Sequence, residues 1–144
     1  MDEERSARRD QPIDFGRPGW TMLVSGAAAN GALELFEERR DTIGGPPPHV
    51  HRDREEAFYV LEGRYIFVRG HDEVALTAGE SIVIPRGTRH HFRTLTAPAR
   101  TLILIVPSGL EGFFRDMGAE IAAGRTPLQA MTALSERYDS HPVD

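Results

Sequence analysis

At 144 residues, with 40% hydrophobic and 27% charged residues, the chain has the size and composition of one soluble globular domain. Its net charge of −5 argues against a nucleic-acid partner, which calls for a basic face. All 17 basic residues are arginine and cysteine is absent, which excludes lysine Schiff-base chemistry, a thiolate nucleophile and disulfides.

Residues 1–14 alternate in charge with no apolar stretch behind them, and read as a flexible N-terminal arm, not a secretory signal. Trp20 to Val24 is a short strand candidate, and Asn30-Gly31 signals a hairpin turn. Over 32–39, Leu33, Leu35 and Glu37 alternate with Glu34, Phe36 and Glu38, the pattern of a strand, with a short helix as the alternative. Residues 41–48 carry two glycines and three consecutive prolines and cannot form a regular element.

From there, short strands over 57–61, 64–69, 74–77, 81–84, 90–94 and 100–106 are separated by glycine and proline turns. Such spacing marks an all-β sandwich or barrel. The run 100–106 (RTLILIV) reads as a central strand buried on both faces. Beyond it, Ser108 is the expected N-cap of a helix over 110–117. Thr126-Pro127 starts a second helix over 128–138, with Leu128, Met131, Leu134 and Tyr138 as its apolar face. The expected division is an arm at 1–14, a barrel at 15–107 and a helical extension at 108–144. No run of about 18 apolar residues occurs, so no membrane partner is expected, and the missing disulfides fit a cytoplasmic protein.

Chemistry concentrates around His49 and His51. Residues two apart on a strand share a face, and Glu56 heads the apolar run that follows. A further histidine, His90, lies in the stretch GESIVIPRGTRHHF. Imidazoles and a carboxylate converging from neighbouring strands make most of a coordination shell for a divalent metal. Glu55 competes with Glu56 but falls on the opposite face by alternation. His71 in its turn and His141 in the tail read as solvated. Ser25 and Ser81 have no arranged histidine and aspartate partners, and the glycine-rich stretches lack the lysine of a phosphate loop.

Two spaced patterns resemble the paired motifs of the cupin family. They are His49-x-His51-x4-Glu56-x6-Gly63 and Gly79-x5-Pro85-x-Gly87-x2-His90. Two positions depart from the family pattern: Gly44 stands one residue out of place, and Thr94 replaces an asparagine. The resemblance implies a cupin jelly-roll barrel of antiparallel strands followed by two C-terminal helices. It also implies His49, His51, Glu56 and His90 as ligands, with the family spacing choosing His90 over His91. Such a donor set suits one divalent Fe, Mn, Co, Ni or Zn per chain. With the register set by Glu56 and His90, Phe58, Val60, Ile66, Val68, Phe92, Leu102 and Leu104 are expected to line the substrate pocket. That lining suits an apolar or aromatic small molecule, with Arg93 available to meet an anion.

The motif text is similar to small single-domain quercetinase-like cupins. This implies an enzyme, a metal-dependent dioxygenase acting on a hydroxylated aromatic or enol substrate, with Glu56 as the catalytic proton acceptor. A non-oxidative cupin of polyketide-cyclase or isomerase type is the first alternative, and a non-catalytic ligand-binding cupin the second. The resemblance also implies a homodimer.

Overall fold

Alternating burial along short strands builds the molecule. The structure is a computed structural model that describes residues 17–144; the arm expected at 1–14 lies outside the described residues. One sheet holds β1 (Trp20–Val24), β2 (Glu34–Arg40), β4 (Glu55–Glu62), β7 (Ser81–Ile84) and β9 (Ala99–Val106), in the order β1-β2-β9-β4-β7. The other holds β3 (His49–Val50), β5 (Arg64–Arg69), β6 (Asp72–Thr77), β8 (His90–Thr94) and β10 (His141–Pro142), in the order β10-β3-β8-β5-β6. The described pairings are antiparallel, and the two sheets face each other as a jelly-roll-like β-sandwich. Helices α1 (Glu111–Ala122) and α2 (Pro127–Leu134) follow.

Residues 32–39 resolve in favour of the strand. Asn30 adopts φ +54 and Gly31 φ +82, the left-handed pair that turns β1 back onto β2. β9 is central, as expected, but it is buried on one face only. Ile103 and Ile105 are buried, while Leu102 and Leu104 are half-exposed on the outer side.

That parity corrects four of the expected pocket residues. Glu56 pairs with Ile105 and Phe58 with Ile103, so the isoleucines share the inner face and Leu102 and Leu104 turn outward. On the second sheet Phe67 pairs with Phe92 and Tyr65 with Thr94, which leaves Ile66 and Val68 on the outer side beside Arg93 and His91. A one-residue difference in strand phase moves a whole apolar set to the other face. Phe58, Val60 and Phe92 are buried on the inner side. Phe58, Tyr65, Phe67 and Phe92 form an aromatic cluster with ring centroids 4.8–5.7 Å apart.

The helices depart from expectation at their starts. Ser108 does not cap α1. Its hydroxyl donates to the Gly31 carbonyl, and the Glu34 carboxylate of β2 instead accepts from the Gly109 and Leu110 amides at 3.1 and 2.6 Å. A buried anion from a neighbouring strand thus satisfies amides at the helix start. Burial raises the Glu34 pKa, opposed by these amide bonds. Thr126 starts α2 as expected, and caps it through a capping box with Gln129. The buried face of α2 is Ala130, Met131 and Leu134, while Leu128 is exposed.

The stiff 41–48 segment is anchored at Thr94. Its hydroxyl accepts from the Gly44 amide at 3.0 Å, and its own amide donates to the Gly44 carbonyl at 2.9 Å. A Cβ on Gly45 would fall 1.7 Å from the Phe92 carbonyl oxygen, so only glycine lets the segment lie against β8. Thr94→Val should cost about 1 kcal/mol by removing the hydrogen bond to the half-buried Gly44 amide. Chemical denaturation measures this, and an unchanged midpoint would show that the anchor is dispensable.

Candidate metal centre

The chain crosses from one sheet to the other between His51 and Glu55, and the site forms at that crossing. His49 and His51 sit in and just after β3, and His90 starts β8 as the direct cross-strand partner of His49. Glu56 comes from β4 in the opposite sheet. The carboxylate therefore meets the imidazoles across the sandwich, not from an adjacent strand of the same sheet. All four residues are buried, and their donor atoms lie within 4.8 Å of one another.

Each histidine is oriented in the same way. His49 Nδ1 donates to Pro47 O at 2.8 Å, His51 Nδ1 to Asp139 O at 2.7 Å and His90 Nδ1 to Thr88 O at 2.8 Å. A carbonyl oxygen only accepts, so each Nδ1 carries a proton, and a ring in its neutral form keeps the Nε2 lone pair for the site. His51 Nε2 lies 3.2 Å from one Glu56 oxygen and His90 Nε2 lies 3.4 Å from the other. Neither Nε2 finds a well-aligned hydrogen-bond partner. Neutral lone pairs facing a carboxylate in a dry setting need a cation between them, either a proton or a metal. The donor set therefore fits a divalent metal.

Burial and the neighbouring histidines push the His49 pKa well below its ordinary value, keeping it neutral. Burial disfavours charge on His51, but the Glu56 carboxylate outweighs it and raises the pKa. Burial likewise opposes ionisation of Glu56, but His51 and His90 win and depress its pKa strongly. Glu55 faces away and pairs with Arg86, its Oε1 2.8 Å from Nη2. His91 takes the opposite face from His90, and His71 is exposed in its turn.

The tail supplies the part that sequence reasoning missed. Asp139 offers its backbone carbonyl to His51, and its carboxylate accepts from the Arg52 and Asp53 amides at 2.7 and 2.8 Å and from Arg54 Nη1 at 3.1 Å. One residue thus clamps the crossing that carries His51 toward Glu56. His141, expected to be solvated, is half-buried on β10, pairs with Val50 and lies 3.3 Å from the Asp139 carboxylate. Burial opposes ionisation of Asp139, but the donated amide bonds depress its pKa. Since Glu56 and Asp139 are both depressed, their stabilisation is present above their ordinary values of 4.5 and 3.8 and lost as the pH falls below them. A melting temperature that drops through that window in metal-free protein checks the sign; a flat profile contradicts it.

A cavity of about 60 Å³ adjoins the cluster, walled by Phe58, Phe92 and Ile103 and roofed by Phe113, Phe114, Met117 and Met131, while Val60, also expected in its lining, packs in the core instead. The helix aromatics pack the core and line the site together. The cavity also contains Arg17, Trp20, Glu38 and Arg40, none of them expected there. Arg93 is exposed and takes no part. The missed signal was the β2 alternation, which puts Glu34, Phe36 and Glu38 on one face. Buried charges on a core face point to function more often than to packing.

A jelly-roll sandwich carrying three histidines and a carboxylate at its centre defines a class of proteins with one internal metal-type site. A family model described as the cupin domain matches residues 41–106, which include all four residues. The chain matches the cupin family over these residues, and its fold is shared with solved cupins. It is 31% identical over 70 residues to quercetin 2,3-dioxygenase of Bacillus subtilis, covering 49% of this chain and 21% of that protein. It is 43% identical over 54 residues to oxidoreductase iacF of Pestalotiopsis fici, covering 37% of this chain and 26% of that protein. The chain thus spans about a fifth to a quarter of the length of these relatives. An RmlC-like cupin from Shewanella frigidimarina shares the fold, with a TM-score of 0.60 over 72% of this chain and 90% of that one, at 23% identity. Among the described residues no helix is long and apolar enough to cross a membrane.

Proposed function

We propose that the protein is a metal-dependent cupin enzyme, a quercetinase-like dioxygenase acting on a small hydroxylated aromatic or enol substrate. The observation that carries this is the common orientation of His49, His51 and His90, each with Nδ1 tied to a carbonyl, and the approach of His51 and His90 Nε2 to Glu56. These four residues would hold one Fe, Mn, Co, Ni or Zn, which when bound supplies Lewis acidity toward a hydroxyl oxygen of the substrate.

The chain's own residues do the rest. Glu56 is held ionised, so one of its carboxylate oxygens is available to take the hydroxyl proton and generate an enolate or phenolate. Phe58, Phe92, Ile103 and the helix roof exclude water, which would otherwise reprotonate that anion. The carbonyls of Pro47, Thr88 and Asp139 keep the imidazoles from rotating as charge builds. Both sequence relatives bear names of oxidative enzymes, which supports oxidation of the enolate by dioxygen over a non-oxidative outcome.

Metal analysis followed by an oxygen electrode with quercetin and simpler enols tests the reading. Oxygen consumption that scales with metal content is expected. Turnover without oxygen uptake would replace it with cyclase or isomerase chemistry, and metal binding without turnover would leave a binding module.

The proposal includes a homodimer. Leu35, Leu104, Ala57 and Val83 form one cross-strand row on the outer face of the first sheet, where Val83 is 54% exposed. Such a row suits a two-fold contact with a second copy. Leu104→Glu should convert the dimer to monomer in sedimentation, and a monomeric parent protein would refute the contact.

A further inference from the structure

We propose that the neck between the inner cavity and its outer vestibule is a carboxylate-binding site, and that the substrate is a small hydroxylated acid. This deepens the metal-enzyme reading, on which the identity of the reacting end rests. The vestibule, of about 630 Å³, lies between the 39–47 segment and α1. Arg17, Trp20, Glu38, Arg40, Pro46 and Met117 line both spaces. The neck therefore carries two guanidinium groups against one carboxylate.

Glu38 is already engaged, accepting from Arg40 Nε at 3.1 Å with its side chain only 4% exposed. Arg17 makes no ion pair among the described residues. Its guanidinium lies 4.4 Å from the Trp20 ring centre and 5.8 Å from that of Phe114. Arg40 spans toward Phe92 at 5.2 Å. Desolvation lowers the Arg17 pKa to about 10, with Glu38 opposing, so it stays charged at neutral pH. Ring faces compensate a desolvated cation only in part. An incoming carboxylate would complete it, because the planar guanidinium fork donates to two carboxylate oxygens at once.

Cavity sizes orient the ligand. About 60 Å³ beside the histidines admits a hydroxyl-bearing end and no whole bicyclic molecule, whereas the vestibule can take the remainder. A ligand threaded this way places its reacting hydroxyl near Glu56 and its carboxylate between Arg17 and Arg40. Neither arginine is a candidate metal ligand, so substrate recognition and metal binding separate experimentally.

Calorimetric titration of the full chain, metal-loaded and metal-stripped, with salicylate and its neutral amide salicylamide tests the site. Salicylate should bind about tenfold tighter than the amide, the scale of one charge-assisted pair. Arg17→Gln and Arg40→Gln should each erase that preference with metal content unchanged, while Arg17→Lys and Arg40→Lys retain part of it. Persistence of the preference in metal-stripped protein would uphold the carboxylate site even if the metal reading failed. Equal binding of acid and amide, no detectable binding of salicylate, a preference unaffected by either glutamine variant, or a preference confined to metal-loaded protein would each overturn it. The parent comparison decides the matter even if a variant fails to fold.

Discussion

Glu56→Ala should reduce bound metal from about one equivalent per chain to near zero, measured by elemental analysis of protein purified without a tag or chelator. The carboxylate is the sole anion of the four-residue cluster and approaches both His51 Nε2 and His90 Nε2. Without it, neutral imidazoles alone face a dicationic ion in an apolar cavity, where uncompensated charge is costly. Glu56→Gln keeps the volume and removes the charge, so it should lose metal too and show that packing is not the cause. A parallel readout is thermal: saturating metal at about a hundredfold above Kd adds about 2.7 kcal/mol, a shift on the order of 8 °C for a domain of this size. The parent protein should show that shift and neither variant should. Wild-type metal content in Glu56→Ala would remove the residue from the ligand set.

The second large effect is expected far along the chain from the histidines. Asp139→Ala should weaken metal binding by about 10- to 100-fold, the range for groups that orient ligands without touching the ion. Its carboxylate holds the Arg52 and Asp53 amides and Arg54, which fixes the crossing between β3 and β4. Its backbone carbonyl fixes His51, and that contact should slacken once the carboxylate clamp is gone. Arg54 also reaches the Ser108 carbonyl through Nε and Nη2 at 3.2 Å, so the clamp joins the tail to the start of the helical region. Truncation after Tyr138 should reproduce the loss, as it removes β10 as well. Metal titration against a competing chelator measures both variants. An affinity within twofold of the parent would show that His51 needs no outside orientation.

The four candidate ligands could be named from the sequence because their spacing resembles the paired motifs of the cupin family. His49-x-His51 with Glu56 five residues on, and His90 in a second patterned stretch, lie near strand starts where alternation limits which way a side chain points. Phe58 and Phe92 follow from the same counting, two residues along their strands from Glu56 and His90. Counting failed once it was carried to strands bearing no anchor. Ile66 and Val68, or Leu102 and Leu104, are as apolar as Tyr65 and Phe67, or Ile103 and Ile105, so composition could not choose between the two faces.

Hydrogen-bonded register across the sheets made that choice, because burying one parity exposes the other. Ser108 shows the same division, since its residue type suits a cap but a buried Glu34 from a distant strand occupies the position. Arg17, Arg40 and Asp139 are ordinary charged residues in one dimension. They become a neck and a clamp only where folding brings residues 17, 40 and 139 against a cavity formed by 49, 51 and 56. Local spacing was enough to mark the four-residue cluster, whereas the cavity wall and the clamp on His51 arise from long-range contacts that sequence separation conceals.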